Sequence, residues 1–103
     1  MTNYARGAVF ERTVKADLEA KDYFAMRSAG SHGIVDIVAI NKGGEPWMVQ
    51  CKIDGRMDRQ DRAELSRKAE LYCFIPIMAS RLKGGKIRYR RLLPNDEWDE
   101  IKP

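Results

Sequence analysis

"IVDIVAINKGGEPWMVQCKI" (34–53) reads as two strands folded about a turn. The first half, 34–40, is β-branched and almost wholly apolar, the pattern of a strand covered on both faces. "NKGGEP" (41–46) supplies a turn with two glycines, so "WMVQCKI" (47–53) is expected to return antiparallel as a hairpin. Asp36 is the one polar residue in the first strand; Gln50 and Lys52, set two apart, interrupt the second. An ionised carboxylate in such a strand is costly unless it is paired or holds a cation. With a side-chain period of two, Asp36 shares a face with Val38 and Ile40, and Gln50 shares one with Lys52. Pairing in register brings Asp36, Gln50 and Lys52 together near the sheet end.

The chain has 103 residues, 44% hydrophobic and 33% charged, the composition of one small folded domain. No apolar run approaches the roughly 18 residues of a membrane span, and the N-terminus lacks the apolar core of a secretory signal. Cys51 and Cys73 show no C-x-x-C spacing. Buried, reduced thiols and an intracellular, cytoplasmic and nucleoid-associated location are expected, from a cellular or a viral gene.

The net charge is +4, and its placement says more than its sign. "SRLKGGKIRYRR" (80–91) holds six Lys/Arg and no acid, whereas "NDEWDE" (95–100) holds four acids. A basic cluster with an interleaved aromatic suits phosphate backbones, although a solvated hairpin carries the same composition.

Around the central hairpin, "GAVFERTVKADLEAKD" (7–22) is helical, with Phe10, Val14 and Leu18 as its apolar stripe. Glu11 borders that stripe. "YFAMRSA" (23–29) reads as a strand and "GSHG" (30–33) as a loop. A second helix starts near Asp58, a plausible N-cap, with Leu65, Ala69 and Tyr72 as a thin apolar stripe. "CFIPIMA" (73–79) is a further buried strand, and "IRYRRLL" (87–93) an edge strand. The order is αβββαββ: an α/β fold with a mixed central sheet flanked by helices. Residues 1–103 form one domain, with a basic arm at 1–7 and an acidic tail at 94–103.

A carboxylate, an oxygen-bearing amide and a lysine brought together suit phosphodiester hydrolysis. Oxygen ligands hold Mg²⁺, which activates water and polarises phosphate, while lysine offsets charge on phosphorus. A structural Asp36–Lys52 ion pair spanning the hairpin would use the same residues.

Asp36, a thirteen-residue spacer and Gln50-Cys51-Lys52 resemble the PD-(D/E)XK, or restriction-endonuclease-like, nuclease core. "RGAVFERTVKADLEAKDYFAMRSAGSHGIVDIVAI" (6–40) and "CFIPIMASRLKGGKIRYRRL" (73–92) narrow the resemblance to archaeal-type Holliday junction resolvases. The resemblance implies a Mg²⁺-dependent endonuclease, with Mn²⁺ able to substitute. The resemblance further implies a homodimer that resolves four-way DNA junctions by paired nicks, with no nucleotide cofactor and no membrane. It implies Asp36, Gln50, Glu11 and the Cys51 carbonyl as metal ligands, and Lys52 as the catalytic lysine. It implies a catalytic role for Ser31, in the loop where such resolvases place a serine near the junction strand, with Ser28 as a weaker candidate. Arg6, Arg12, Arg27, His32, Lys83 and Lys86 become candidate DNA contacts. Leu71, Tyr72 and Phe74 are candidates for the dimer surface.

Two departures stand out. Gln50 occupies a position usually held by Glu or Asp, and Val35 replaces the motif proline. Weaker metal binding and slower cleavage are expected from the first. His32, the single histidine, is more easily a structural or DNA contact than a catalyst, and nothing beside it suggests zinc. Two readings remain beside the resolvase. One is another nuclease of the same core, such as a flap or single-strand nuclease or a VRR-type nickase. The other is a DNA-binding protein that no longer cleaves.

Overall fold

The computed structural model describes residues 3–28 and 33–103. It contains α1 (Asn3–Ala20), β1 (Phe24–Arg27), β2 (Ile37–Ile40), β3 (Pro46–Cys51), α2 (Arg59–Tyr72), β4 (Ile75–Arg81), β5 (Ile87–Leu92) and β6 (Trp98–Glu100). The six strands form one sheet in the order β1-β2-β3-β4-β5-β6. Every neighbouring pair is antiparallel except β3 and β4. That parallel pair is joined through α2, as a crossover connection requires.

Alternating residues of β3 divide the core between the two faces. Val49 packs with Phe10, Val14 and Leu18 of α1, together with Ile37, Ile77 and Tyr89. Met48 packs with Leu65 and Ala69 of α2 and with Met78. The helices therefore cover opposite sides of the sheet. Trp47 is fully buried, with ring centroids 5.0 Å from Tyr23 and 5.8 Å from Tyr89. Tyr89 reaches across this core to donate a 2.6 Å hydrogen bond to Asp17 Oδ2 on α1. None of the helices described is long and apolar enough to cross a membrane.

Asp58 caps α2 as the sequence indicates, its side chain accepting from the Asp61 amide at 2.8 Å. The apolar stripe of this helix is shorter than expected: Leu65 and Ala69 are buried, but Tyr72 is 61% exposed. The helix stops there because Cys73 turns left-handed (φ 61°), its amide bonding back to Ala69 and Glu70 carbonyls. Cys73 is therefore exposed rather than buried, and both cysteines are free.

Two further expectations change at the C-terminal side. β5 is not an edge strand, because β6 pairs with it from Arg90–Glu100 to Leu92–Trp98. The segment read as an acidic tail thus supplies the edge of the sheet. Its acids also pair with arginines elsewhere: Glu100 pairs with Arg88 of the basic run, and Asp96 accepts two bonds from Arg62 of α2 at 2.9 and 3.0 Å. Arg90 lies over the Trp98 ring at 5.6 Å and donates to the Gly55 carbonyl. Arg81, Lys83 and Lys86 remain exposed toward solvent at the β4–β5 turn. At the other end, residues 3–7, read as part of an arm, are the first turns of α1.

Candidate active site

β2 and β3 pair with Ile37 opposite Val49 and Val38 opposite Met48, so Asp36 falls opposite Gln50 one step beyond the ladder. Asp36 precedes β2 at a bend, but its backbone stays anchored on both sides. Its amide donates to the Val49 carbonyl at 2.9 Å, and its carbonyl accepts from the Ser28 amide at 2.8 Å. The side chain folds over the end of β3, where Oδ2 accepts the Cys51 amide at 2.8 Å.

Burial pushes the Asp36 carboxyl up to about 6; the Cys51 N–H acts against this, Glu11 adds to it, and Lys52 and Arg27 oppose it. Each of these charges acts on Asp36, so α1, β1, β2 and β3 all contribute to one site. Glu11 accepts a 2.9 Å bond from Arg27 Nε, with both side chains about one-fifth exposed. The pair joins α1 to β1 beside Asp36, and neither partner was foreseen as the other's. Burial, followed by the Asp36 charge, drives the Cys51 thiol far above its ordinary range. It stays protonated, which leaves the backbone carbonyl as the ligand atom Cys51 can offer.

Gln50 is 8% exposed, and its Oε1 has no hydrogen-bond partner among the described residues. A buried amide oxygen left in this state costs about 1–3 kcal/mol. Lys52 is half-buried, with Nζ 3.8 Å from Asp61 Oδ2 on α2. Asp61 was missed because an acid in the first turn of a polar helix reads as ordinary dipole stabilisation. Its position three residues after the Asp58 cap was the available signal, since that turn lies against the end of β3. Among the described residues no three His, Cys, Asp or Glu side chains gather as a metal cluster. What lies together at this end of the sheet is the Asp36 carboxyl with Glu11 close enough to act on it, the partnerless amide oxygen of Gln50 opposite in register, and Lys52. That donor set fits a hard cation that takes oxygen ligands.

Of the other candidates, Arg6 lines a cavity together with Lys52, Cys51 and Ile53. Arg12 is exposed on α1, and Lys83 and Lys86 are exposed in the β4–β5 turn. Ser28 is exposed beside the Asp36 backbone. Ser31 and His32 lie outside the described residues.

The family model for the archaeal Holliday junction resolvase (Hjc) matches residues 2–69, well over half of the chain. The chain belongs to the Hjc family. It is also 33% identical over 85 residues to the crossover junction endodeoxyribonuclease Hjc of Methanocaldococcus jannaschii. That match covers 79% of this chain and 62% of the relative's length. The structure of Archaeoglobus fulgidus Hjc, a Holliday junction resolvase from an archaeal hyperthermophile, superposes with a TM-score of 0.68 at 20% identity. The superposition covers 88% of this chain and 84% of that one, and establishes the restriction-endonuclease-like fold. The Hjc family match spans α1, β1, β2, β3 and most of α2, the elements that carry Glu11, Arg27, Asp36, Gln50, Lys52 and Asp61.

Proposed function

We propose that this Hjc-family chain is a Mg²⁺-dependent endonuclease that resolves four-way DNA junctions as a homodimer. The observation that carries the reading is the buried Gln50 Oε1, left without a partner opposite a carboxyl that burial has destabilised and on which the Lys52 charge acts. Asp36 and Gln50 hold the cation, with the Cys51 carbonyl and Glu11 as further oxygen donors, and Mn²⁺ substitutes. Bound there, Mg²⁺ supplies Lewis-acid polarisation of the scissile phosphate. Lys52 donates hydrogen bonds to a phosphate oxygen and offsets the negative charge that grows as the phosphodiester is attacked. Asp61 holds Lys52 from the α2 side. Arg27, fixed by Glu11, places a second positive charge at the phosphate.

Paired nicks need two such sites related by a two-fold axis. A homodimer is supported by apolar side chains exposed on the α2 side of the sheet. Phe24 and Met26 of β1 are 66% and 60% exposed, and Leu71 and Tyr72 at the end of α2 are 61% exposed each. Phe74 is half-buried behind them.

Cleavage of a four-way junction, a flap and a linear duplex by one preparation tests the reading, with Asp36→Ala alongside. Symmetric nicks confined to the junction are expected, and Asp36→Ala binds the junction without cutting it. Equal cutting of linear duplex removes junction selectivity. Cutting by Asp36→Ala removes the site assignment.

A further inference from the structure

Two adjacent cavities outside the cluster of Asp36, Gln50 and Glu11 share Arg6 and Ile53 in their walls and together outline a channel. The first, about 330 Å³, is lined by Arg6, Gly7, Cys51, Lys52, Ile53 and Asp54. The second, about 410 Å³, shares Arg6 and Ile53 and continues past Val9 and Thr13 to Arg81 and Gly85 at the β4–β5 turn. The channel thus starts at Lys52 and runs between the N-terminal half of α1 and that turn, with a cation on each side and an apolar floor. Val9 is 47% exposed on that floor.

Gly7 adds an independent observation. A Cβ at this position would meet nothing within 4 Å, so neither packing nor backbone conformation calls for glycine there. Glycine inside a helix is unfavourable relative to alanine, yet here it forms part of the channel wall. Close approach of another backbone is a use that fits such a glycine. The competing groove, between α2 and the loop after β5, sets two carboxylates, Glu70 and Asp96, among its arginines, where the channel holds one, Asp54. Arg62 in that groove is already bound to Asp96.

Resting on the nuclease reading above, we propose that this channel seats the DNA strand adjoining the scissile phosphate. Arg81 takes a backbone phosphate across from Arg6, the sugar–base stack lies on Val9 and Ile53, and the missing side chain of Gly7 lets the backbone pass. The strand therefore leaves Lys52 along α1 and not along α2.

Junction binding measured against salt tests this without requiring cleavage. Each phosphate contact contributes about one unit of slope in log K against log salt. Arg81→Ala lowers the slope by about one, whereas Arg67→Ala on the α2 side leaves it unchanged. A junction with methylphosphonates near the nicked bond binds the wild type more weakly, and Arg81→Ala no longer senses at least one of those substitutions. Gly7→Ala raises the melting temperature and weakens junction binding severalfold, a combination that a purely structural role does not produce. An unchanged slope in Arg81→Ala, a slope lost in Arg67→Ala instead, or wild-type binding by Gly7→Ala overturns the channel. Any of these beside normal, Asp36-dependent cleavage leaves the nuclease reading standing. A wild type that binds junctions without cutting them overturns that reading while the slopes still decide the channel.

Discussion

Asp36 pays for its position in the absence of a cation, and the sign of that cost can be measured. Its carboxyl is raised from 3.8 to about 6, mainly by burial, so the folded protein holds a proton that the unfolded chain releases between those values. Stability on account of Asp36 is therefore highest below about pH 4, falls between pH 4 and 6, and stays lower above that. After allowance for solvent at a half-buried group, the loss is about 2 kcal/mol. In EDTA, Asp36→Asn melts above the wild type at pH 7, and the gap closes by pH 4. Thermal melts across that range check it; a gap that ignores pH contradicts the burial argument. Asp36, Gln50 and Lys52 were legible because an isolated polar residue in an apolar strand is conspicuous. Asp61 and the Glu11–Arg27 pair were not, since each contact joins side chains from different elements and leaves no periodic trace.

At the scale of elements, the sheet is tied to α1 by more than apolar packing. Tyr89 on β5 donates to Asp17 on α1, and Asp17 also receives Lys21 at 2.7 Å. Burial, and then this bond to a carboxylate, push the Tyr89 hydroxyl far above its ordinary range. Tyr89→Phe keeps the ring in the core but leaves Asp17 without that donor, a loss of about 1–2 kcal/mol. Chemical denaturation measures it; an unchanged midpoint would mean the bond is replaced by solvent without cost. Hydrophobic periodicity located both helices and β1 to β5 to within a few residues, because each has a buried face to pattern. β6 was invisible for the opposite reason. It is three residues long, two of them acidic, and it is held by cross-strand pairing and by the ion pair of Glu100 with Arg88, a residue of the basic run.

For the whole molecule, the two helices leave the α2 side of β1 and β2 uncovered. Phe24, Met26 and Ile40 are exposed there, although β1 and β2 are backed by the α1 core. On the proposed function, a second copy is the partner that two-strand cleavage would call for. Met26→Glu, a substitution at an exposed position, is expected to leave the melting temperature nearly unchanged and to convert the proposed dimer to a monomer in sedimentation. The same variant nicks junction strands singly. A wild type that sediments as a monomer at all concentrations contradicts the arrangement. Sequence composition carried no information on this surface, because exposed and buried apolar residues alternate along one short strand.

The role proposed for Gln50 is to stand in for a carboxylate at a working cation site. It is tested most directly by junction cleavage as a function of Mg²⁺ concentration, with wild type and Gln50→Glu side by side. No cleavage is expected without a divalent cation, with saturable cleavage by the wild type and half-saturation at least several-fold lower in Gln50→Glu, where a second negative charge faces the cation. Cation-independent cleavage, or a wild type that binds junctions yet cuts none at any Mg²⁺ or Mn²⁺ concentration, would contradict it.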